Sequence, residues 1–208
     1  MVSGITEMLQ LNKLVYQWPN TLPQEVNLNT SNGQLVLISG PSGIGKTTLF
    51  DIISGFHEPV SGSVLFNGED LCFKPPWKRP VSTMFQSDNF FPHLSVKENL
   101  MLGIRNKTFK IEEIEKNLSF LDISSLLNRK SNELSGGELQ RVALIRTLLR
   151  DQPILLLDEP FSALDQKMVK KASMLIEEQR RKVNSVTLII SHQNVSSYLK
   201  IDQKLNLG

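Results

Sequence analysis

The residues at 40–48 have the types and spacing of a phosphate-binding loop. They read Gly-Pro-Ser-Gly-Ile-Gly-Lys-Thr-Thr and match G-x-x-x-x-G-K-[ST] at every fixed position. Glycines allow successive backbone N–H groups to turn inward onto phosphates at the positive end of the following helix. Lys46 is expected to reach the β- and γ-phosphates, Thr47 to hold Mg²⁺ and Thr48 to add a phosphate contact. The loop therefore predicts a nucleoside triphosphate site, and an empty glycine-rich turn is the alternative.

Two adjacent carboxylates follow an apolar run later in the chain. Residues 154–157 are fully apolar and lead into Asp158-Glu159-Pro160. Carboxylates at the carboxyl end of a buried strand are unfavourable there unless a cation or a reaction uses them. We expect Asp158 to hold Mg²⁺ through its water shell and Glu159 to polarise a water that attacks the γ-phosphate. A strand that ends in exposed acids is the alternative.

Two further motifs could contact phosphate. Ser135-Gly136-Gly137 begins a strongly helical stretch, and free N–H groups at a helix start can bind an anion. The same residues often form only a cap and a turn. His192 follows the apolar run 186–190, so its imidazole is expected at the same sheet edge as Asp158 and the phosphate-binding loop with Lys46. There it could donate a hydrogen bond to the γ-phosphate. Taken alone, a histidine at such a position is more often packed or solvated.

Two aromatic residues upstream of the loop, Tyr16 and Trp18, could stack on a purine. Stacking of a base on an aromatic ring contributes about 1–3 kcal/mol in other systems. A ring packed within a strand is the alternative for both, and it is the stronger alternative for Tyr16. The residues alone therefore favour stacking for Trp18 and packing for Tyr16.

The elements that must position these groups follow from patterning. A buried strand is predicted over 34–39, directly before the loop, and a helix over 46–54 that ends at Gly55. Alternating residues at 9–18, 26–29 and 63–66, with an Asn-Gly turn at 67–68, predict an antiparallel layer. Further strands are predicted over 81–85, 154–157 and 186–190. Helices are predicted in 95–104, 111–120, 123–127 and 135–150, and a long helix is predicted to follow residues 162–165 and to end at residue 182. Prolines 75, 76 and 80 predict a stiff, exposed connecting segment between two of these elements.

Length and composition restrict the class of protein. The 208 residues, 40% of them hydrophobic, can form one sizeable core with small subdomains. We expect one domain, in which 1–86 and 151–208 form an α/β core with the antiparallel layer and about 87–150 form an inserted helical subdomain. A net charge of +2 without a clustered basic face argues against nucleic-acid binding. The single cysteine, Cys72, fits a reducing compartment. No run approaches the roughly 20 apolar residues of a membrane span, and the start lacks a secretory pattern, so membrane association is expected only through a partner.

Taken in order, these motifs resemble the nucleotide-binding subunit of ABC transporters over essentially the whole chain. The resemblance identifies 40–48 as Walker A, Gln86 as the Q-loop, 134–138 as the signature, 154–158 as Walker B, 162–165 as the D-loop and His192 as the switch histidine. It implies a P-loop NTPase fold with a RecA-like, mostly parallel core. It also implies Mg²⁺-dependent ATP hydrolysis that is coupled to transport.

The resemblance assigns roles by position. It implies catalytic roles for Glu159, His192, Lys46 and Gln86, and Mg²⁺ contacts for Thr47, Gln86 and Asp158. It implies ATP contacts for Tyr16, Trp18, Gly40, Pro41, Ser42, Gly43, Ile44, Gly45, Lys46, Thr47, Thr48, Ser135, Gly136, Gly137, Glu138 and Asp165. Two subunits are expected to pair head to tail around two ATP molecules. Permease subunits, contacted beside Gln86, would hold the pair at the cytoplasmic face of the plasma membrane.

Within the family, the segments 75–82 and 152–165 are most similar to the ATPases of thiamine importers, and less closely to those of iron, sulfate or molybdate importers. This predicts import of a small solute, thiamine, with a solute-binding protein. An exporter or envelope-remodelling ATPase is the first alternative. A non-transport ABC ATPase is the second, although such proteins usually carry a long coiled coil or two cassettes.

Three features depart from the family pattern. Glu138 stands where glutamine is commoner, and Gln193 follows the switch histidine where an acid is usual. The chain ends at Gly208, so we expect no C-terminal regulatory domain. The first two departures leave catalysis intact in this interpretation.

Overall fold

The computed structural model describes residues 9–17, 22–87, 90–104 and 111–208. Its strands are β1 (Leu9–Tyr16), β2 (Gln24–Asn29), β3 (Leu35–Ser39), β4 (Ser61–Phe66), β5 (Glu69–Asp70), β6 (Val81–Met84), β7 (Ile154–Asp158), β8 (Val186–Ile190) and β9 (Gln203–Asn206). Its helices are α1 (Lys46–Ser54), α2 (Val96–Met101), α3 (Ile111–Phe120), α4 (Gly136–Leu148) and α5 (Gln166–Val183). Short 3₁₀ turns lie at Pro76–Lys78, Ser124–Leu126, Ser131–Glu133 and Val195–Ser197.

A parallel sheet of five strands, in the order β6-β7-β8-β3-β9, forms the centre of the molecule. Every residue of β7 and β8 is buried, as expected for apolar strands covered on both faces. Both Asp158, at the end of β7, and Ile38 of β3 pair with Ile190, so the carboxyl ends of three central strands share one edge. The predicted α/β class with a mostly parallel sheet is confirmed.

A second, antiparallel sheet has the order β2-β1-β4-β5. Its β4–β5 hairpin turns at Asn67 and Gly68, whose φ angles of 54° and 80° give the left-handed geometry of an Asn-Gly turn. In β1 the register shifts between Leu11 and Leu14, and Lys13 has a φ of 44°. The predicted antiparallel layer is therefore present, with a bulge that its alternating pattern did not indicate.

The parallel sheet separates two apolar cores. Alternate residues of β7 point to opposite faces, so Ile154 and Leu156 belong to the core shared with α1 and the antiparallel sheet. Leu155 and Leu157 belong to the other core, which also includes α4, α5 and the helical segment before them. The sheet edge that carries Asp158 is thus supported from both sides.

The helical segment differs from prediction in detail. Ser95 caps α2 through a complete capping box with Glu98, as its pattern predicts. The helical pattern over 123–127 forms only the 3₁₀ turn Ser124–Leu126. The division into a core and a helical subdomain stays a prediction. No helix within the described ranges has the length and apolar character needed to cross a bilayer.

The proline-rich connecting segment, residues 75–80, contains a buried cation that the sequence did not indicate. Arg79 is 5% exposed. Its guanidinium donates to the carbonyls of Ile52 at 2.6 Å and Ile53 at 3.1 Å, in the last turn of α1, and to that of Lys74 at 2.8 Å. At the helix end, where carbonyls lack intrahelical donors, the guanidinium supplies a donor to Ile53 and adds to the Gly55 N–H that Ile52 also accepts. The connecting segment is therefore only partly exposed, because Arg79 anchors it to α1.

Candidate functional site

The phosphate-binding loop connects β3 to α1 in the predicted geometry. Gly43 and Gly45 have φ angles of 79° and 100°, which side-chain-bearing residues rarely adopt. A Cβ atom on Gly45 would lie 2.9 Å from the ring of Tyr16, so this position also requires glycine for space. Lys46 Nζ donates to the carbonyls of Gly40 and Pro41, at 2.9 Å each. The ammonium group is thus held over the loop.

A hydroxyl and a carboxylate meet beside this loop. Thr47 Oγ1 donates to Asp158 Oδ2 at 2.7 Å. Asp158 is 2% exposed, and burial raises the pKa of its carboxyl, while the hydrogen bond from Thr47 opposes that shift. Both groups supply oxygen atoms, which are the ligands that Mg²⁺ prefers. The pair could hold Mg²⁺ beside a phosphate on the loop.

Glu159 is the second carboxylate at this edge, and burial raises the pKa of its carboxyl as well. Its Oε2 accepts a hydrogen bond of 3.4 Å from the His192 backbone N–H. His192 Nε2 lies 3.5 Å from Oε1, and the imidazole side chain is 59% exposed. Oε1 has no hydrogen-bond partner within the described part of the chain. A buried carboxylate with a free oxygen is suited to accept a proton from water.

One cavity of about 350 Å³ brings together six of the nine predicted loop residues and the predicted residues of the sheet edge, whereas Gly40, Pro41 and Ile44 do not line it. Gln86, just after β6, reaches the same cavity as Lys46 and Glu159. The full lining is Ser42, Gly43, Gly45, Lys46, Thr47, Thr48, Gln86, Asp158, Glu159, Ile190 and His192. Residues far apart in sequence meet here because β3, β6, β7 and β8 are parallel neighbours whose carboxyl ends coincide.

The signature residues do not line this cavity. Ser135 caps α4, and its hydroxyl donates to Glu138 Oε2 at 2.7 Å while the Glu138 N–H donates back to that hydroxyl at 3.4 Å. The hydrogen bond from the Ser135 side chain lowers the pKa of the Glu138 carboxyl. Asp165 caps α5 by accepting from the Met168 N–H at 2.8 Å. Within one subunit, these side chains serve as helix caps.

The two aromatic candidates have different outcomes. Tyr16 is 2% exposed, and its ring lies against Gly45, beneath the phosphate-binding loop. Burial raises the pKa of its hydroxyl to about 12. The ring offers no free face to a purine and supports the loop by packing, which was the alternative interpretation. Trp18 lies outside the described residues, so its stacking role stays a prediction.

A second cavity, of about 560 Å³, was not predicted as a site. Phe56, Trp77, Phe85 and Leu102 contribute to its mostly apolar wall, together with Arg146 of α4. The Arg146 guanidinium lies 5.4 Å from the centroid of the Phe90 ring. Burial, and then the charge of Arg150, lower its pKa. These residues are scattered along the sequence without a local pattern. We call this cavity the apolar groove.

Comparison with known proteins agrees with the motif assignment. The family model described as ABC transporter matches residues 23–162. The thiamine import ATP-binding protein ThiQ of Haemophilus influenzae (strain 86-028NP) is 43% identical over 202 residues, which cover 95% of this chain and 94% of that protein. ThiQ of Escherichia coli (strain K12) is 41% identical over 190 residues, with 89% and 81% covered.

Solved structures show the same fold. A nucleotide-free ATP-binding cassette from an ABC transporter superposes with a TM-score of 0.80 at 27% identity, covering 97% of this chain and 87% of the other. A dimeric cassette in a post-hydrolysis state, bound to ADP and Pi, gives a TM-score of 0.80 at 29% identity, with 96% and 94% covered. The chain therefore belongs to the ABC transporter family and is an ATP-binding subunit that hydrolyses ATP.

Proposed function

We propose that this chain powers a thiamine importer, in which it acts with membrane permease subunits and a solute-binding protein. The observation that carries this proposal is the likeness to ThiQ proteins over 95% of the chain at 43% identity. The cavity at the sheet edge supplies the groups that ATP hydrolysis needs. The substrate is inferred from relatives, because the cavity binds nucleotide and does not contact the transported solute.

At the site, each group has a role that follows from its position. The loop N–H groups and Lys46 bind the phosphates. Thr47 and Asp158, 2.7 Å apart, and Gln86 beside them would hold Mg²⁺, which neutralises phosphate charge when bound. A site with two or three protein oxygens suits this ion, since Mg²⁺ retains water and phosphate ligands. Glu159 accepts the proton of the attacking water, and His192 donates to the γ-phosphate.

The signature serves a second subunit in this proposal. Ser135 and Gly137 lie outside the cavity that holds Lys46. Ser135 is also exposed at the start of α4. A second copy placed head to tail would bring these groups onto the γ-phosphate, where the Ser135 hydroxyl would exchange Glu138 for a phosphate oxygen. ATP would then join the subunits, and hydrolysis would release them.

The apolar groove is the surface that we assign to the permease. Phe85 lines the groove and the next residue, Gln86, lines the cavity with Lys46, so a change at the nucleotide can reach the groove through these two residues. Its lining joins apolar side chains with Arg146, whose charge is partly desolvated and repelled by Arg150. The matching occupant is a permease segment with apolar side chains and one carboxylate that faces Arg146. This contact would hold the chain at the cytoplasmic face of the plasma membrane.

Co-purification from native membranes tests the assembly. Tagged Glu159→Gln protein with ATP should recover a membrane-spanning protein and a solute-binding protein in gentle detergent. Leu102→Glu, in the groove, should lose the membrane protein, while Met174→Glu on α5 should retain it. The two positions are 53% and 54% exposed, so the change in surface polarity is matched.

Uptake of labelled thiamine by cells tests the substrate. Cells with the wild-type chain should take up thiamine, and cells with Glu159→Gln should not, because transport requires hydrolysis. Failure of cells with the wild-type chain to take up thiamine would refute the substrate assignment. A membrane protein recovered without a solute-binding protein would favour export, and recovery of neither would favour a non-transport ATPase.

A further inference from the structure

Gln140, on α4, binds the turn that carries Glu159. Its Nε2 donates to the Glu159 carbonyl at 2.8 Å and to Ser162 Oγ at 2.9 Å. Its Oε1 accepts from the Ala163 N–H at 2.8 Å. A primary amide offers two N–H groups and one carbonyl, and all three groups of this side chain are engaged within five consecutive residues.

The turn that Gln140 binds is conformationally demanding. Glu159 has a φ of 49°, a left-handed value that residues other than glycine seldom adopt. Its N–H donates to the Ile190 carbonyl at 3.0 Å, and its own carbonyl also accepts from the Ser162 N–H at 3.3 Å. Strained backbone of this kind persists only where the surroundings hold it. Gln140 is therefore placed to maintain the backbone that directs the Glu159 carboxylate into the cavity.

We propose that Gln140 is a positioning residue for ATP hydrolysis. Gln140 does not line the cavity of about 350 Å³ that contains Lys46 and Glu159, which we call the nucleotide cavity, so it acts through Glu159. It also lies on the helix that Ser135 caps, which joins the signature to the hydrolytic turn by one rigid element. A shift of α4 upon pairing of two subunits would reach Glu159 through this amide. The inference rests on the proposed role of Glu159 as the base.

The first test is Gln140→Leu, which keeps the side-chain size and removes all three hydrogen bonds. We expect kcat to fall by about 10- to 100-fold, as for other small displacements of a catalytic group, with KM for ATP nearly unchanged. The matched control is Gln179→Leu on α5. Gln179 also donates through Nε2 to a main-chain carbonyl, that of Leu148 at 3.0 Å, but lies outside the nucleotide cavity. That variant should keep the wild-type kcat.

The second test is Gln140→Glu, which separates positioning from packing. An ionised carboxylate has no donor for the Glu159 carbonyl, whereas a protonated one has an O–H group and an acceptor and resembles the amide. The activity of this variant relative to wild type should therefore rise as the pH is lowered from about 8 to about 6. A purely structural loss would give a ratio that does not change with pH.

The outcomes separate this inference from the assignment of the base. Glu159→Gln is assayed in parallel. If it turns over ATP at the wild-type rate, the base assignment fails and the role of Gln140 falls with it. If Glu159→Gln is inactive but Gln140→Leu has wild-type kcat, only the inference about Gln140 is overturned. A folded Gln140→Leu protein with unchanged KM and reduced kcat supports it.

Discussion

Glu159 combines three properties that ordinary surface acids lack. It is 7% exposed, one of its oxygens has no hydrogen-bond partner within the described ranges, and its backbone is left-handed. Burial destabilises the charged carboxylate and so raises its pKa above the ordinary value for glutamate. The same burial makes Glu159 a stronger base for water and a source of instability when it is ionised.

Glu159→Gln should therefore raise the melting temperature in a pH-dependent way. Between the ordinary pKa of the unfolded state and the raised pKa of the folded state, the folded protein binds more protons, so wild-type stability falls as the pH rises through this window. Glutamine has no such dependence. The gain in melting temperature should be largest near pH 8 and should disappear below the pKa of the unfolded state. A gain that stays constant from acid to neutral pH would contradict the burial argument.

Helix α1 is fixed at both ends by different means. Its first turn follows the phosphate-binding loop, and Gly45 packs on Tyr16. Its last turn ends at Gly55, where a Cβ atom would lie 2.5 Å from Arg79 Nε. The two anchors hold the helix, and hence Lys46 and Thr47, against the sheet.

Arg79→Met should weaken this arrangement without altering the cavity directly. Methionine retains much of the side-chain volume but removes the guanidinium donor, so the Ile53 carbonyl loses the donor that Arg79 supplies and the Ile52 carbonyl keeps only the Gly55 N–H. We expect the free energy of unfolding to fall by about 2–4 kcal/mol. The exposed neighbour Lys78→Met is the control and should change it by less than about 0.5 kcal/mol. Urea denaturation measures both, and equal midpoints would show that Arg79 is not an anchor.

In the whole molecule, the signature and the nucleotide cavity are separate surfaces. The cavity has the loop, both carboxylates and His192, whereas Ser135 lies outside it. Either the signature has no contact with ATP, or a second molecule supplies it. The similarity to a dimeric cassette bound to ADP and Pi supports the second possibility.

Ser135→Arg in a Glu159→Gln background tests this arrangement. The large cation should block the head-to-tail pair, so light scattering should show a monomer with ATP, where Glu159→Gln alone gives a dimer. Nucleotide binding by the monomer should be unchanged. Ser119→Arg, an exposed position on α3, is the control and should dimerise normally. Weaker binding of ATP by the Ser135→Arg monomer would refute a role for the signature in the opposite subunit.

Local patterns predicted those features that depend on neighbouring residues. The loop at 40–48, the apolar strand before Asp158 and the cap at Ser95 each depend on residues a few positions apart, and each occurs where predicted. Their order also indicated the family. Sequence reasoning placed Lys46, Asp158 and His192 at a common edge because parallel strands align their carboxyl ends.

Long-range contacts depended on tertiary structure. The burial of Tyr16 beneath Gly45, the Arg79 cap on α1, the bonds of Gln140 to the Glu159 turn and the apolar groove all join residues far apart in the chain. No local periodicity encodes them, since they follow from the strand orders of both sheets and from the way α1 and α4 pack against those sheets. The sequence alone therefore indicated the groups to which we assign the chemistry, while tertiary packing decided which groups hold them in position.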